Sequence, residues 1–403
     1  MLDIIDERLE GAFGRERLRR LHGSRVAVIG GGLLGGQLLH HLAMLQIRTV
    51  LVEPGRVDAE NVGNQMLPAA AVGESKADAR LAQMRALNPS CPVRAVPERL
   101  EEVGLGAFAD CDLLLSGLDG RASRLAVNRI AQWLGLDWID AAVDGSGRRL
   151  LGTVSYFRPG DGGQPCLGCR YDAGQLATIA REVRRNPCAS WRDPGRPETP
   201  PTLTASPFGA IVAGWQMSLA IRALLGEGED LVGHQLQVTA SGSPRVRSVA
   251  LARRAACGFP HRRLAPLHRL NGLEGTEARV LGELVDLAAG ELGAAPDALV
   301  FPGRSLALGL ACPACGVHRQ VVRRCEAITD EEVRCACGSG AECVPLQVSD
   351  RLEAPRLAAL AHAEWGALGI PDEDLVTATA GTRRAHYLLP APRARAAARE
   401  DCA

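Results

Sequence analysis

Lysine is almost absent from this chain, with Lys76 alone beside 45 arginines in 403 residues. A GC-rich genome explains a general exchange of Lys for Arg, but not the one lysine that persists. The two differ most where a compact point charge must reach a phosphate, because the guanidinium is a broad planar fork. Lys76 is therefore a candidate nucleotide contact. Net charge is absent too: 46 basic residues offset 46 acidic ones. That argues against a polyanion-binding or membrane-surface protein, so neither nucleic acid nor a membrane is an expected partner. The start, Met1-Leu2-Asp3-Ile4-Ile5-Asp6, has neither a basic cluster nor an apolar run, so no signal peptide is read. No segment reaches the ~18 uninterrupted apolar residues of a spanning helix. A cytoplasmic protein is the expectation.

Apolar residues make up 46% of the chain, enough for a well-buried core. The length allows two domains, a large one and a smaller appendage. Thirteen cysteines in a cytosolic chain argue against disulfides, and their spacing points to metal. Cys166-Leu-Gly-Cys169 and Cys312-Pro-Ala-Cys315 are two-residue-spaced pairs; Cys335-Ala-Cys337 is tighter. Such pairs, occurring together, are metal knuckles. Gly316 and Gly338, one after each C-terminal pair, permit the turn that aims N–H groups at thiolate sulfur. Cys312, Cys315, Cys335 and Cys337 thus read as a zinc ribbon, with Cys325, Cys343 and His318 open as replacements for one member. Cys91, Cys111 and Cys402 read as bystanders.

Along the chain, residues 7–22 form an Arg-rich helix with Leu9, Phe13, Leu18 and Leu21 on its apolar side. A short strand, Arg25 to Ile29, runs into Gly30-Gly31-Gly32-Leu33-Leu34-Gly35, a helix follows, and a second strand ends at Glu53. Strand, glycine turn, helix, strand and acidic residue make the layout of a mononucleotide-binding βαβ unit. Helices at 75–87 and 122–134 alternate with strands at 92–96, 112–116 and 137–143. The expected fold is therefore α/β, a Rossmann-like, mostly parallel sheet with helices on both faces. Ligands then bind beyond the carboxyl ends of the strands, where the glycine turn, Glu53 and Asp119 fall. Residues 181–202, rich in Arg and Pro, read as a long exposed crossover loop holding Cys188. A helix at 209–225 and strands at 234–240 and 245–252 complete a first domain over 1–262. A second module over 265–390 begins with a helix near 276–290 and carries the ribbon, and the tail 391–403 reads as disordered.

With these elements in this order, residues 7–262 resemble the adenylating enzymes of the ThiF, MoeB and ubiquitin-activating superfamily. Gly30, Gly32 and Gly35 match the nucleotide turn, and Glu53 falls where the family places an acidic residue, usually Asp, on the ribose. Asn61-Val62-Gly63-Asn64-Gln65 resembles the family's Asn-Leu-x-Arg-Gln segment. Its phosphate-binding arginine is here Asn64, which leaves a charge to be met elsewhere, with an arginine of a partner subunit as one candidate. Val72 to Ala77 matches the lysine motif around Lys76. Asp119, followed by Arg124 and Asn128, matches the start of the helix whose Asp serves Mg²⁺ and the reacting phosphate. The resemblance implies ATP and Mg²⁺, and attack of a C-terminal glycine carboxylate on the α-phosphate. Backbone N–H groups of the turn suit phosphate oxygens, and the protein supplies positioning and charge neutralisation.

The resemblance also implies a first zinc site, from Cys166 and Cys169 with Cys257 and, because Pro260 occupies the place of a fourth cysteine, His261. Members that form a thioester carry a cysteine in the crossover loop; Cys188, flanked by Arg181, Arg184, Arg185 and Arg192, is that candidate nucleophile. The expected function is ATP-dependent activation of a ubiquitin-like or sulfur-carrier protein ending in glycine. Adenylation would be followed by thioester formation, in a homodimer that can hand over to a conjugating enzyme. The alternatives are an adenylyltransferase that forms no thioester, a NAD-dependent oxidoreductase sharing the glycine turn and Glu53, and a non-catalytic zinc-ribbon scaffold.

Overall fold

The computed structural model describes residues 2–145, 150–160, 163–184, 204–270 and 280–390. They fall into two compact units, one of residues up to 100 with 108–263, the other of 101–107 with 264 onward. Cys188, most of the 181–202 segment and the tail from 391 lie outside the described residues.

The first unit opens with two helices in place of the single expected one, α1 (Leu2–Phe13) and α2 (Arg15–Gly23). They break at Gly14, which adopts φ 79° and so cannot continue a right-handed helix. The sheet has eight strands. β1 (Arg25–Ile29), β2 (Arg48–Val52), β3 (Val93–Val96), β4 (Leu113–Ser116) and β5 (Asp137–Asp144) are parallel, in the order β3-β2-β1-β4-β5. β6 (Leu151–Phe157), β7 (His234–Thr239) and β8 (Arg245–Ala250) extend it in antiparallel fashion. Val26–Ile29, Thr49–Val52 and all of β4 are buried, as strands covered on both faces must be.

Adjacent residues of a strand point to opposite faces, and β5 shows what covers each. Ile139 joins the core made by α3 (Leu33–Met44), α5 (Lys76–Leu87) and the helix Ser206–Leu225. Trp138 faces the other way, stacked on Phe157 at 5.1 Å under α6 (Arg121–Leu134), against which α7 (Ala173–Arg184) packs. Helix Ser206–Leu225 is long and apolar enough to cross a membrane, but it packs on α3, β5 and β6, where Phe208, Val212, Met217 and Leu224 are buried. The order of the parallel strands reverses between β1 and β4, so their carboxyl ends flank a crevice.

The second unit holds a five-stranded sheet in the order Arg351–Glu353, Ala298–Val300, Leu375–Ala380, Arg383–Leu388, Leu267–Arg269. Helix Leu281–Leu292 covers it through Leu281, Leu284, Ala288 and Leu292, one helical face. Two three-stranded sheets of two-residue strands lie between Leu306 and Ser349. Glu101–Ala107 packs here although it lies within the stretch read as the first domain. Buried Arg304 donates to the Asp374 carboxylate and, at 2.8 Å, to the Val103 carbonyl. Gly104 approaches the Asp372 carbonyl so closely that a Cβ would lie 1.9 Å from it.

Candidate functional site

An open cleft lies at the carboxyl ends of β1 and β4, where ligands of open α/β sheets bind. Its walls are Gly32–Leu34 from the glycine turn, Gly117–Asp119 after β4, Ala142 and Val143 of β5, and Thr204. Glu60, Asn61, Asn64 and Gln65 join them, all but Gln65 from α4 (Ala59–Asn64). The fold thus brings Gly32, Asn61, Asn64, Gln65 and Asp119 onto one cavity. Glu60 and Thr204 were not anticipated.

The glycine turn is built by close approaches. A Cβ on Gly35 would lie 1.8 Å from the Gly30 carbonyl oxygen, so no other residue lets α3 start here. Gly30 has φ 94°, with Leu118 packed against it. Gly32 lines the cleft, and no described atom lies within 4 Å of where its Cβ would stand. The first N–H groups of α3 have no acceptor within the helix, which leaves them available to an anion.

Glu53 is not on the cleft wall. It is buried under the turn, where Oε2 accepts from the Gly31 N–H at 2.6 Å and Oε1 from the Gly55 N–H at 2.7 Å. Lys76 is the first residue of α5, which Ser75 caps by accepting from the Asp78 N–H. Its backbone N–H donates to the Gly55 carbonyl at 2.8 Å, and its ammonium lies against Gly55, also away from the cleft wall. Asp119 is exposed in the cleft. It stands one residue before Gly120, the N-cap of α6.

Beneath Asp119 the walls are held by a buried network. Arg124 pairs with Asp140, which also accepts from Ser116 Oγ at 2.9 Å, and Ser116 in turn accepts from Trp138 Nε1 at 2.9 Å. Asn61 accepts from the Asp58 N–H at 3.1 Å and so closes the first turn of α4. Gln65 Oε1 and Thr204 Oγ1, both on the cleft wall, are buried with no protein partner. Buried polar atoms left in that state mark where a polar ligand or water belongs.

A residue missing from the sequence reading lies behind the turn. Arg80, on α5, is 2% exposed, and its guanidinium donates to the carbonyls of Gly31, Gly32 and Gln65 at 2.9, 3.2 and 2.7 Å. Burial lowers it to about 10, with the Glu53 carboxylate pulling the other way. The signal was Gly36, a second glycine inside a helix, where glycine is unfavourable unless something must come close. A Cβ there would lie 2.5 Å from Arg80 Cζ.

Two ligand sets assemble. Cys166, Cys169, Cys257 and His261 bring their ligand atoms within 4.8 Å of one another. Cys166 Sγ is 3.8 Å from Cys257 Sγ and 4.0 Å from Cys169 Sγ; His261 Nε2 lies 3.5 and 3.4 Å from Cys166 and Cys169. A tetrahedral ion with metal–sulfur bonds of ~2.3 Å needs sulfur–sulfur edges of about 3.8 Å. Burial and the neighbouring sulfurs push the Cys166 thiol up, a cost that a bound cation would offset. Asn128 Oδ1 accepts from the Leu167 N–H at 2.9 Å and holds the knuckle to α6.

Cys312, Cys315, Cys335 and Cys337 form the second set, with Cys312–Cys337 at 3.8 Å and Cys315–Cys335 at 3.6 Å. Gly316 and Gly338 take φ 72° and 71°, the turn expected after each pair. Cys343 instead accepts from Arg319, Cys325 is buried outside the set, and His318 is exposed on a strand. Neither set lies on the cleft.

The profile of the ThiF family matches residues 6–259. A sulfur carrier protein adenylyltransferase of Thermus thermophilus is 31% identical over 232 residues, 56% of this chain and 77% of that protein. The SAMP-activating enzyme E1 of Haloferax volcanii is 27% identical over 237 residues, 58% of this chain and 77% of its own. A probable adenylyltransferase/sulfurtransferase MoeZ of Mycobacterium tuberculosis is 35% identical over 147 residues, 36% of each chain, so this chain spans about a third of that relative. A parallel sheet with its crevice at the strand reversal, a glycine turn closed on its own helix, and a profile match across the whole first unit together place this chain in the ThiF family.

Proposed function

We propose that this chain activates the C-terminal glycine carboxylate of a ubiquitin-like or sulfur-carrier protein by adenylation. The observation that carries the reading is the cleft, which combines the free N–H groups of the glycine turn with Asp119 and the polar residues of α4. The relatives named as adenylyltransferases and E1 enzymes support the same chemistry. A carboxylate oxygen of the carrier attacks the α-phosphorus of ATP, the bond to the bridging β-phosphate oxygen breaks, and pyrophosphate leaves with the electron pair. The product is a mixed anhydride between carrier and AMP. The turn amides orient the phosphates, and Asp119 is the residue that would hold Mg²⁺, which neutralises phosphate charge when bound. Lys76, whose ammonium lies against Gly55, would contact the phosphates by turning its side chain toward the cleft.

The finer reading adds a second step. The Cys188 thiolate attacks the activated carbonyl carbon, AMP departs, and a thioester remains for a conjugating enzyme. Both cysteine-rich sets fit Zn²⁺ as closed structural sites, and a homodimer is the assembly we propose. Carrier-dependent exchange of pyrophosphate into ATP tests the first step; gel mobility of a reductant-sensitive carrier adduct tests the second.

A further inference from the structure

Among the described residues, the cleft lining includes two carboxylates, Glu60 and Asp119, and no lysine, arginine or histidine. A site for a polyanion would then depend on metal, backbone amides and cations that act from behind the wall, Lys76 among them. Arg80 is in that place. Its guanidinium bonds the carbonyls of Gly31, Gly32 and Gln65, and Gly32 and Gln65 are themselves wall residues.

The direction of those bonds matters. In a trans peptide the C=O and the following N–H point opposite ways. Drawing the Gly31 and Gly32 carbonyls back to Arg80 therefore turns the N–H groups of Gly32 and Leu33 away from it. On the other side of Gly31, the N–H is held by Glu53. The turn is gripped between a buried acid and a buried base, and its remaining donors are left for the ligand. Gly36 completes the arrangement, because any side chain there would occupy the space of the guanidinium.

We propose that Arg80 is a positioning residue of the nucleotide site. It holds the turn amides toward the phosphates and adds positive charge one peptide behind them. This rests on the reading that the turn takes ATP. The test is calorimetric binding of a non-hydrolysable ATP analogue and of adenosine to the full chain, in wild type, Arg80→Met, Arg80→Lys, Gly36→Ala and the Gly36→Ala/Arg80→Met double variant. Charge-assisted bonds of this kind predict a loss of about tenfold to hundredfold for the analogue in Arg80→Met. Adenosine, which has no phosphates, should bind within twofold of wild type. Gly36→Ala should reproduce that loss by displacing the guanidinium, and the double variant should be no weaker than Arg80→Met. Should Arg80→Met unfold, Arg80→Lys carries the comparison, with a smaller loss again confined to the analogue. Equal losses for both ligands, or unchanged analogue binding, would overturn the positioning role alone. A folded wild type that binds neither ligand would overturn the nucleotide reading and the role with it.

Discussion

Gly35 and Gly32 sit three residues apart in one turn and have opposite physical duties. At Gly35 a methyl group would meet the Gly30 carbonyl at 1.8 Å; at Gly32 it would meet nothing in the protein. Gly35→Ala is therefore expected to lower stability by roughly 1–3 kcal/mol or more, as overpacking does, visible as a reduced midpoint in urea. Gly32→Ala should unfold normally yet bind ATP weakly, since Gly32 lines the cleft and an added methyl group there crowds the ligand rather than the protein. The glycine spacing, Asp119 and the cysteine sets were legible in the sequence because each is a local pattern whose chemistry follows from residue type. Arg80 and the burial of Glu53 were not. Both depend on which residues of α5 and β2 pass beneath the turn, and one arginine among 45 carries no local mark of burial. Lys76 was conspicuous for the opposite reason. Loss of a charge-stabilising group commonly costs 10²–10³ in rate, so Lys76→Ala and Asp119→Ala should each reduce pyrophosphate exchange by about that factor without changing the unfolding midpoint.

Among the elements, the metal knuckles separate most cleanly. The first ligand set joins the segment after β6 to the segment after β8, and Asn128 of α6 braces it. The second is confined to the small sheets of the C-terminal unit. A metal ion bound in either set would contribute folding energy to its own unit. Metal analysis of the purified chain should give about two zinc ions, one per tetrahedral set. Cys166→Ser should lose one of them and destabilise the first unit, whereas Cys312→Ser should lose the other and leave pyrophosphate exchange intact. A stable, metal-free chain would contradict both. The sequence also anticipated the alternating sheet, because buried parallel strands read as unbroken apolar runs. It did not show the break at Gly14 within the first helix, since a glycine in an amphipathic pattern is equally compatible with a continuous helix.

At the scale of the molecule, the chain spans 77% of a relative named as a sulfur carrier protein adenylyltransferase, and the family profile ends near the close of the first unit. The capture of Glu101–Ala107 by the second unit escaped the sequence because it rests on contacts such as Arg304 with Val103, two hundred residues apart. If the finer reading holds, Cys188→Ala will still exchange pyrophosphate but will lose the reductant-sensitive carrier adduct. A variant that keeps the adduct would exclude Cys188 as the nucleophile. The central claim is adenylation, and its most direct measurement is isotope exchange between pyrophosphate and ATP with a small carrier protein ending in glycine. The account predicts exchange that requires the carrier's terminal glycine carboxylate and Mg²⁺ and that collapses in Asp119→Ala. Exchange within tenfold of wild type in that variant, or none with any glycine-terminated carrier while ATP still binds, would contradict it.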